Sequence, residues 1–202
     1  MKTLLLIRHG QTAYNLERRM QGQLDIPLDE TGLAQAERLA RRLASEMSID
    51  ALYASDLARA RVTAETVAAH TGLELRLDER LREVHAGKWQ GCTIDQMDVE
   101  WPEWREHFHG PRMVEFGGET QEQVRDRLVA ALQDIGERHP HETVAFVSHG
   151  FGLGCLVADL VSGPRGAQDD GRPRGNTAIT IFEDPLSSPR LVLGNCTRHL
   201  DD

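Results

Sequence analysis

Two runs of large apolar residues in this chain are each followed directly by a histidine. Residues 4–7 read Leu-Leu-Leu-Ile and lead into Arg8 and His9, and residues 144–147 read Val-Ala-Phe-Val and lead towards His149. A strand that is apolar at every position belongs inside a parallel sheet that helices cover on both faces. Ligands bind beyond the carboxyl ends of such strands. We therefore expect the two histidines to face each other at one edge of a sheet.

The spacing of apolar residues in the rest of the chain predicts helices that cover this sheet. Helices are predicted over 33–47, 57–70, 119–138 and 151–161. Further strands are predicted over 49–54 and 73–77, a terminal hairpin over 177–182 and 190–193, and a loop over 162–175. Ser55 and Asp56 are N-cap candidates for the second helix. The pattern predicts an α/β fold, a three-layer sandwich with a mostly parallel central sheet flanked by helices, in a single domain over 1–202.

The regular pattern fades between about residues 80 and 118. Glycines and prolines interrupt this stretch, and all three tryptophans, Trp89, Trp101 and Trp104, fall inside it. We expect a cap insertion of short helices that folds over the sheet, with the tryptophans packing it down.

Composition limits the classes of partner. The 202 residues carry a net charge of −9, which argues against nucleic acid because nothing basic would neutralise a phosphate backbone. A small anionic substrate is still compatible, since a few arginines in a cleft reverse the local potential. No apolar run approaches the roughly 20 residues of a membrane span, so no membrane partner is expected. The first strand leaves no room for a signal peptide, and the three separated cysteines favour reduced thiols, so we expect a cytoplasmic protein.

Six motifs resemble, in the same order, those of the histidine phosphatase superfamily, which includes the cofactor-dependent phosphoglycerate mutases. They are LIRHGQT at 6–12, RMQGQLDIPL at 19–28, SDLARARVTA at 55–64, LREVHAGKWQG at 81–91, GGET at 117–120 and VSHG at 147–150. The resemblance extends over most of the chain and implies a phosphoryl-transfer enzyme.

The resemblance also implies a role for each matched residue. His9 would attack phosphorus and carry the phosphoryl group as a phosphohistidine, and His149 would contact the phosphoryl oxygens. Arg8 and Arg59 would bind those oxygens with planar guanidinium groups, and they favour the neutral form of His9 by charge repulsion. Glu83 would donate a proton to the leaving oxygen and later act as base for water.

Other residues complete the predicted site or compete for a role in it. Asn15, Gln21 and Gly22 match positions that line the phosphate pocket of the family. Glu79 and Glu119 are the alternatives to Glu83 as the proton donor.

Three histidines near the cap have no assigned role. The position of His85, two residues after Glu83, is equally compatible with a place in the pocket lining and with a place outside it. His107 and His109 lie beside Glu106, which superficially suggests a metal site, but surface histidines are the favoured interpretation. We predict no metal ligand and no cofactor.

Residues 95–118 correspond to the insertion with which the mutases bind the carboxylate of their substrate, and their composition favours hydrolysis. In those enzymes the insertion is basic, whereas 95–118 has only Arg105 and Arg112. The pattern is most similar to glucosyl-3-phosphoglycerate phosphatases and broad-specificity relatives, with α-ribazole phosphatases as another short branch. Phe151 replaces a glycine of many members and is predicted to narrow the pocket. We expect a phosphatase for small phosphorylated substrates; a mutase and a non-catalytic binding protein on the same fold are the open alternatives. A homodimer is compatible with each of these functions.

Overall fold

A six-stranded sheet lies at the centre of the computed structural model, which describes residues 1–108, 110–161 and 173–201. The strands are β1 (Thr3–Arg8), β2 (Ala51–Ala54), β3 (Leu75–Leu77), β4 (Thr143–Ser148), β5 (Ile179–Glu183) and β6 (Arg190–Cys196). Their order across the sheet is β3-β2-β4-β1-β5-β6. The first four pair in parallel, and β5 and β6 add an antiparallel hairpin. The predicted mostly parallel sheet with a terminal hairpin is confirmed.

The long predicted helices are present, each shifted by a few residues. The helices are α1 (Ala13–Leu16), α2 (Glu30–Glu46), α3 (Ala58–Thr71), α4 (Ile94–Glu100), α5 (Trp104–His107), α6 (Gln121–Arg138) and α7 (Gly150–Leu160), with 3₁₀ turns at Glu79–Leu81, Gly87–Trp89, Pro111–Phe116 and Arg198–Leu200. The short helix α1 has no matching prediction. The loop predicted over 162–175 lies mostly outside the described residues. Within the described ranges no helix is long and apolar enough to span a bilayer.

Strand β1 explains why the fold has three layers. All four of its large apolar side chains are fully buried. Leu4 and Leu6 pack in one cluster with the apolar faces of α6 and α7, whereas Leu5 and Ile7 pack in a second cluster with α2 and α3. Burying each such side chain stabilises the fold by about 1.5–3 kcal/mol. The predicted three-layer sandwich is therefore confirmed.

The cap insertion forms a third apolar cluster, which is built around Trp89. The ring centroid of this buried tryptophan lies 4.7 Å from that of Phe116 and 6.2 Å from that of Trp104. Phe108 joins the cap to α7, because its ring centroid lies 5.2 Å from that of Phe151. The insertion thus folds as short helices held by aromatic contacts, as predicted.

The start of α3 differs from the prediction that Ser55 and Asp56 cap it. The cap residue is Leu57, which makes no side-chain capping bond. The first helical N–H donates instead to the carboxylate of Asp25, at 2.6 Å. Asp56 forms an ion pair with Arg82, and the Ser55 hydroxyl turns towards the site described below. A loop distant in sequence has taken over the capping function.

Candidate active site

The sheet topology brings the two strand-ending histidines together. Strands β1 and β4 are parallel neighbours, with Arg8 opposite Ser148 at their carboxyl ends. His9 and His149 follow directly, and their ring centroids lie 5.2 Å apart. Arg59, in the first turn of α3, reaches the same edge from β2. The expectation that the two histidines face each other is confirmed.

Close backbone contacts fix the loop after β1. A Cβ atom on Gly32 of α2 would lie 2.1 Å from the carbonyl oxygen of Gln11, and one on Gly10 would lie 2.6 Å from the carbonyl oxygen of Gly32. The Gly10 N–H also donates to the hydroxyl of Thr63 on α3, at 3.0 Å. Any larger side chain at either glycine would move the loop that holds His9.

His9 is buried, neutral and held in one tautomer. Its Nδ1 lies 2.6 Å from the Gly10 carbonyl oxygen, so Nδ1 carries the proton and donates it. The lone pair is then on Nε2. Burial, together with the charges of Arg59 and Arg8, holds the pKa of His9 well below its usual 6.5. The ring is therefore neutral at pH 7.

His149 is oriented by Ser55. The Nε2 atom of His149 lies 2.8 Å from the Ser55 hydroxyl, which itself accepts the N–H of Leu57 at 3.3 Å. Among the described residues, Nε2 of His149 is the one acceptor within reach of the Ser55 hydroxyl proton, so we assign the hydroxyl as the donor, which places the imidazole proton on Nδ1. The Nδ1 atom is buried without a partner among the described residues. Burial and the charge of Arg59 lower the pKa of His149 well below 6.5.

The two arginines remain protonated although they are largely buried. Arg59 donates to the carbonyl oxygens of Gly22, at 2.7 Å, and Leu24, at 2.8 Å. Burial lowers its pKa to about 10, against the opposing attraction of Glu83. Burial likewise lowers the pKa of Arg8. In each of the two, Nε is buried without a partner among the described residues, and such atoms are expected to bind an anion.

The predicted amide donors line the same cavity. Asn15 Oδ1 accepts the backbone N–H of Thr12 at 3.1 Å, and Gln21 Oε1 accepts the Thr12 hydroxyl at 3.0 Å. Since the oxygens are occupied, the NH₂ groups are left for a ligand. Gly22 also lines the cavity, where its carbonyl holds Arg59.

Glu83 lies against the N-terminus of α7. Its Oε1 accepts the backbone N–H groups of Gly152, at 2.9 Å, and Val84, at 3.0 Å. Its Oε2 accepts the N–H of Phe151 at 3.2 Å. The N–H groups of Phe151 and Gly152 are ones that the first turn of a helix leaves unpaired, whereas that of Val84 belongs to the loop next to Glu83. They hold the carboxyl group at the wall of the cavity.

Neither alternative acid lines this cavity in the described part of the chain. The Glu79 side chain is 76% exposed and pairs with Arg82 at 3.4 Å. Both oxygens of Glu119 accept from Arg127, at 2.9 and 3.0 Å. Burial alone would raise the pKa of Glu119, but the bonds from Arg127 and from a backbone N–H lower it. Of the three carboxylates, Glu83 is the one at the site.

The cavity, of about 250 Å³, extends from the histidine end to an apolar and basic rim. Phe151 lines it as predicted, whereas the sequence assigned no individual role to the other rim residues, although three of them fall within the matched motifs. The other rim residues are Tyr14, Arg18, Arg19, Met20, Val84, Ile94 and Phe108. Ser55 was missed, although its position at the end of β2, beside β4, is a signal of the kind that identified His149.

Two of the cap histidines, His85 and His107, do not line the cavity that the described residues form. Nδ1 of His85 lies 3.0 Å from the Gly117 carbonyl oxygen. His107 Nε2 lies 3.1 Å from Arg112, and His109 is outside the described residues. In the ranges that the structure describes, no three His, Cys, Asp or Glu side chains form a group able to hold a metal ion.

Comparisons with known proteins identify the family of this chain. Residues 4–197 match the model of the histidine phosphatase superfamily (branch 1). A probable phosphoglycerate mutase of Photorhabdus laumondii is 39% identical over 198 residues, 96% of this chain and 90% of that protein. A mycobacterial glucosyl-3-phosphoglycerate phosphatase, in complex with VO3, has a TM-score of 0.83 at 33% identity and covers 97% of this chain and 100% of its own. Phosphoserine phosphatase of Entamoeba histolytica, in complex with 3-phosphoglyceric acid, has a TM-score of 0.82 at 29% identity, and the match covers 99% of this chain and 100% of that protein. The chain belongs to branch 1 of the histidine phosphatase superfamily.

Proposed function

We propose that this chain is a phosphomonoester hydrolase for small phosphorylated metabolites that works through a phosphohistidine on His9. The observation that supports this most directly is the 2.6 Å distance between Nδ1 of His9 and the carbonyl oxygen of Gly10. The Nδ1–H of His9 is bound to the Gly10 carbonyl and the ring is neutral, so the Nε2 lone pair is available for attack on phosphorus.

The buried donors around His9 suit a transferring phosphoryl group. Such a group spreads negative charge over three equatorial oxygens. Nε of Arg8, Nε of Arg59 and Nδ1 of His149 are three buried nitrogen atoms without partners in the described residues. Preorganised donors of this kind are typically worth ~10²–10³-fold each in rate.

The proposed reaction has two steps, and Glu83 moves one proton in each. In the first, Nε2 of His9 bonds to phosphorus, the ester P–O bond breaks, and Glu83 gives its proton to the leaving alcohol oxygen. In the second, water attacks phosphorus, Glu83 takes a proton from the water, and the N–P electron pair returns to His9. The Oε2 atom suits this exchange better than Oε1, because it accepts one N–H, at 3.2 Å, whereas Oε1 accepts two. One ester and one water become an alcohol and a phosphate.

The cap favours hydrolysis over mutase chemistry. A mutase has to hold its dephosphorylated intermediate until phosphate returns to it. The two arginines of residues 95–118 do not line the cavity; Arg105 is paired with Asp98, and Arg112 with Glu115 at 3.1 Å. The cap turns Phe108 towards the cavity instead.

A phosphoglycerate mutase is the second candidate, which the 39% identity to a probable mutase favours. Incubation with 3-phosphoglycerate and catalytic 2,3-bisphosphoglycerate distinguishes the two. We expect phosphate release to exceed formation of 2-phosphoglycerate; the opposite result would establish the mutase. A non-catalytic binding protein would release no phosphate from any of a panel of phosphate monoesters.

A further inference from the structure

The loop that holds Glu83 is bound by one guanidinium group from α6. Nη1 of Arg127 donates to the carbonyl oxygens of Arg80, at 2.8 Å, and Arg82, at 2.6 Å. Its Nη2 donates to the carbonyl oxygen of Glu83, at 2.9 Å. A single side chain therefore holds three carbonyl groups of one loop, including that of the proposed acid.

Glu119 holds Arg127 in this orientation. Nε of Arg127 donates to Oε1 and Nη2 donates to Oε2, so the two side chains form a bidentate pair. The pair is partly shielded from water, with side chains 18% and 24% exposed. Oε2 of Glu119 also accepts the backbone N–H of His85 at 2.8 Å. The guanidinium group is thus bound on all three of its nitrogens.

Hydrogen bonds hold both the carboxyl group and the backbone carbonyl group of Glu83. Its carboxyl group is held by the N-terminus of α7, and its carbonyl oxygen by Arg127 and by Nε2 of Gln23, at 3.0 Å. A displacement of about 1 Å in a reacting group can cost 10²-fold in rate. The backbone bonds made by Arg127 are therefore placed where they control the distance of Glu83 from a leaving group.

We propose that Arg127 is a positioning residue for proton transfer by Glu83. This inference rests on the proposed function, because it requires Glu83 to be the acid. A role limited to stability would lower every activity of the folded protein by the same factor. If Arg127 has a positioning role, its loss lowers the rates of the steps that need the proton more than the rates of the steps that do not.

The test compares Arg127→Met with a matched control. Methionine keeps much of the aliphatic stem and removes all the donors. The control is Arg125→Met, which removes an arginine of the same helix that is 41% exposed and pairs with Asp126 and Glu122. Arg127→Lys keeps the charge but loses the planar fork. Thermal unfolding and circular dichroism establish which variants are folded.

The measured quantity is the single-turnover rate of protein phosphorylation with two substrates. Glycerol 3-phosphate leaves as a strongly basic alkoxide and needs a proton, whereas p-nitrophenyl phosphate leaves as a weak base and needs little help. For Arg127→Met we expect the ratio of the two rates to change ~10–10²-fold against the alkyl phosphate. We expect a smaller change for Arg127→Lys and none for Arg125→Met. In a Glu83→Gln background, Arg127→Met should not change the ratio further.

The outcomes separate the inference from the function on which it rests. If Glu83→Gln leaves the ratio unchanged, the acid assignment is wrong, and the positioning role is overturned with it. If Glu83→Gln changes the ratio but folded Arg127→Met slows both substrates equally, the positioning role alone is wrong. If Arg127→Met does not fold, Arg127→Lys decides: an unchanged ratio overturns the inference, and a shift against the alkyl phosphate supports it.

Discussion

Mild acid should destabilise this protein through its two active-site histidines. His9 and His149 are buried at 2% and 0% exposure, and burial with nearby arginines holds both pKa values well below 6.5. Unfolding returns each ring to its usual pKa. Below about pH 6.5 the unfolded chain therefore binds protons that the native protein does not, so stability is fully present above that pH and decreases as pH falls.

The size of the effect follows from the pKa of the unfolded chain. Between pH 7.5 and 5.5, with both native rings neutral throughout, protonation of the two unfolded histidines lowers the free energy of unfolding by at most about 3 kcal/mol. For a chain of this length that corresponds to a fall in Tm of roughly 5–11 °C. Because both rings are buried, solvent screening removes little of this change in stability.

Thermal unfolding at the two pH values measures this contribution when wild type is compared with the double variant His9→Gln, His149→Gln. The double variant should lose roughly 5–11 °C less over the same interval. His141→Asn, at an exposed histidine before β4, is the control and should retain the wild-type pH dependence. An equal loss of Tm in wild type and in the double variant would refute the conclusion that these rings are buried and neutral.

Three further changes test the site. Glu83→Gln should slow single-turnover phosphorylation by an alkyl phosphate ~10²–10⁴-fold and far less by p-nitrophenyl phosphate; equal slowing would mean that Glu83 is not the acid. Ser55→Ala should release His149 from its Nδ1–H tautomer, visible in ¹⁵N NMR, and lower kcat/KM by no more than the ~10²–10³-fold expected for His149→Ala. An unchanged ¹⁵N spectrum would contradict the role of Ser55. Gly32→Ala should lower stability by about 1–3 kcal/mol and Tm by roughly 2–12 °C. Gly110→Ala, where a Cβ would meet its nearest atom at 3.6 Å, should cost less, and equal losses would contradict the close-packing argument.

The parts of the site that follow from strand order were predictable from sequence. An apolar run identifies a buried strand, and the parallel pairing of β1 with β4 then places His9 and His149 at one edge. The apolar faces of the long helices likewise follow from local spacing. These inferences need only the local pattern of each segment and, for the two histidines, the rule that parallel strands end at the same edge of a sheet.

The parts that depend on contacts between distant side chains were not predictable. Ser55 and His149 are 94 positions apart, and Arg127 reaches the Glu83 carbonyl across 44. Asp25 caps α3 from 33 positions away, so the local preference of Ser55 and Asp56 for caps was misleading. No periodicity in the sequence records such pairs, because each depends on how two separate loops meet after folding.

The central claim is that His9 becomes phosphorylated. Its most direct test is a rapid acid-free quench of turnover with a labelled phosphate monoester, followed by mapping of the labelled peptide. We expect an adduct on His9 that is stable in alkali and lost in acid, and that is absent from His9→Ala. Label on any other residue, or full turnover by His9→Ala, would contradict the mechanism.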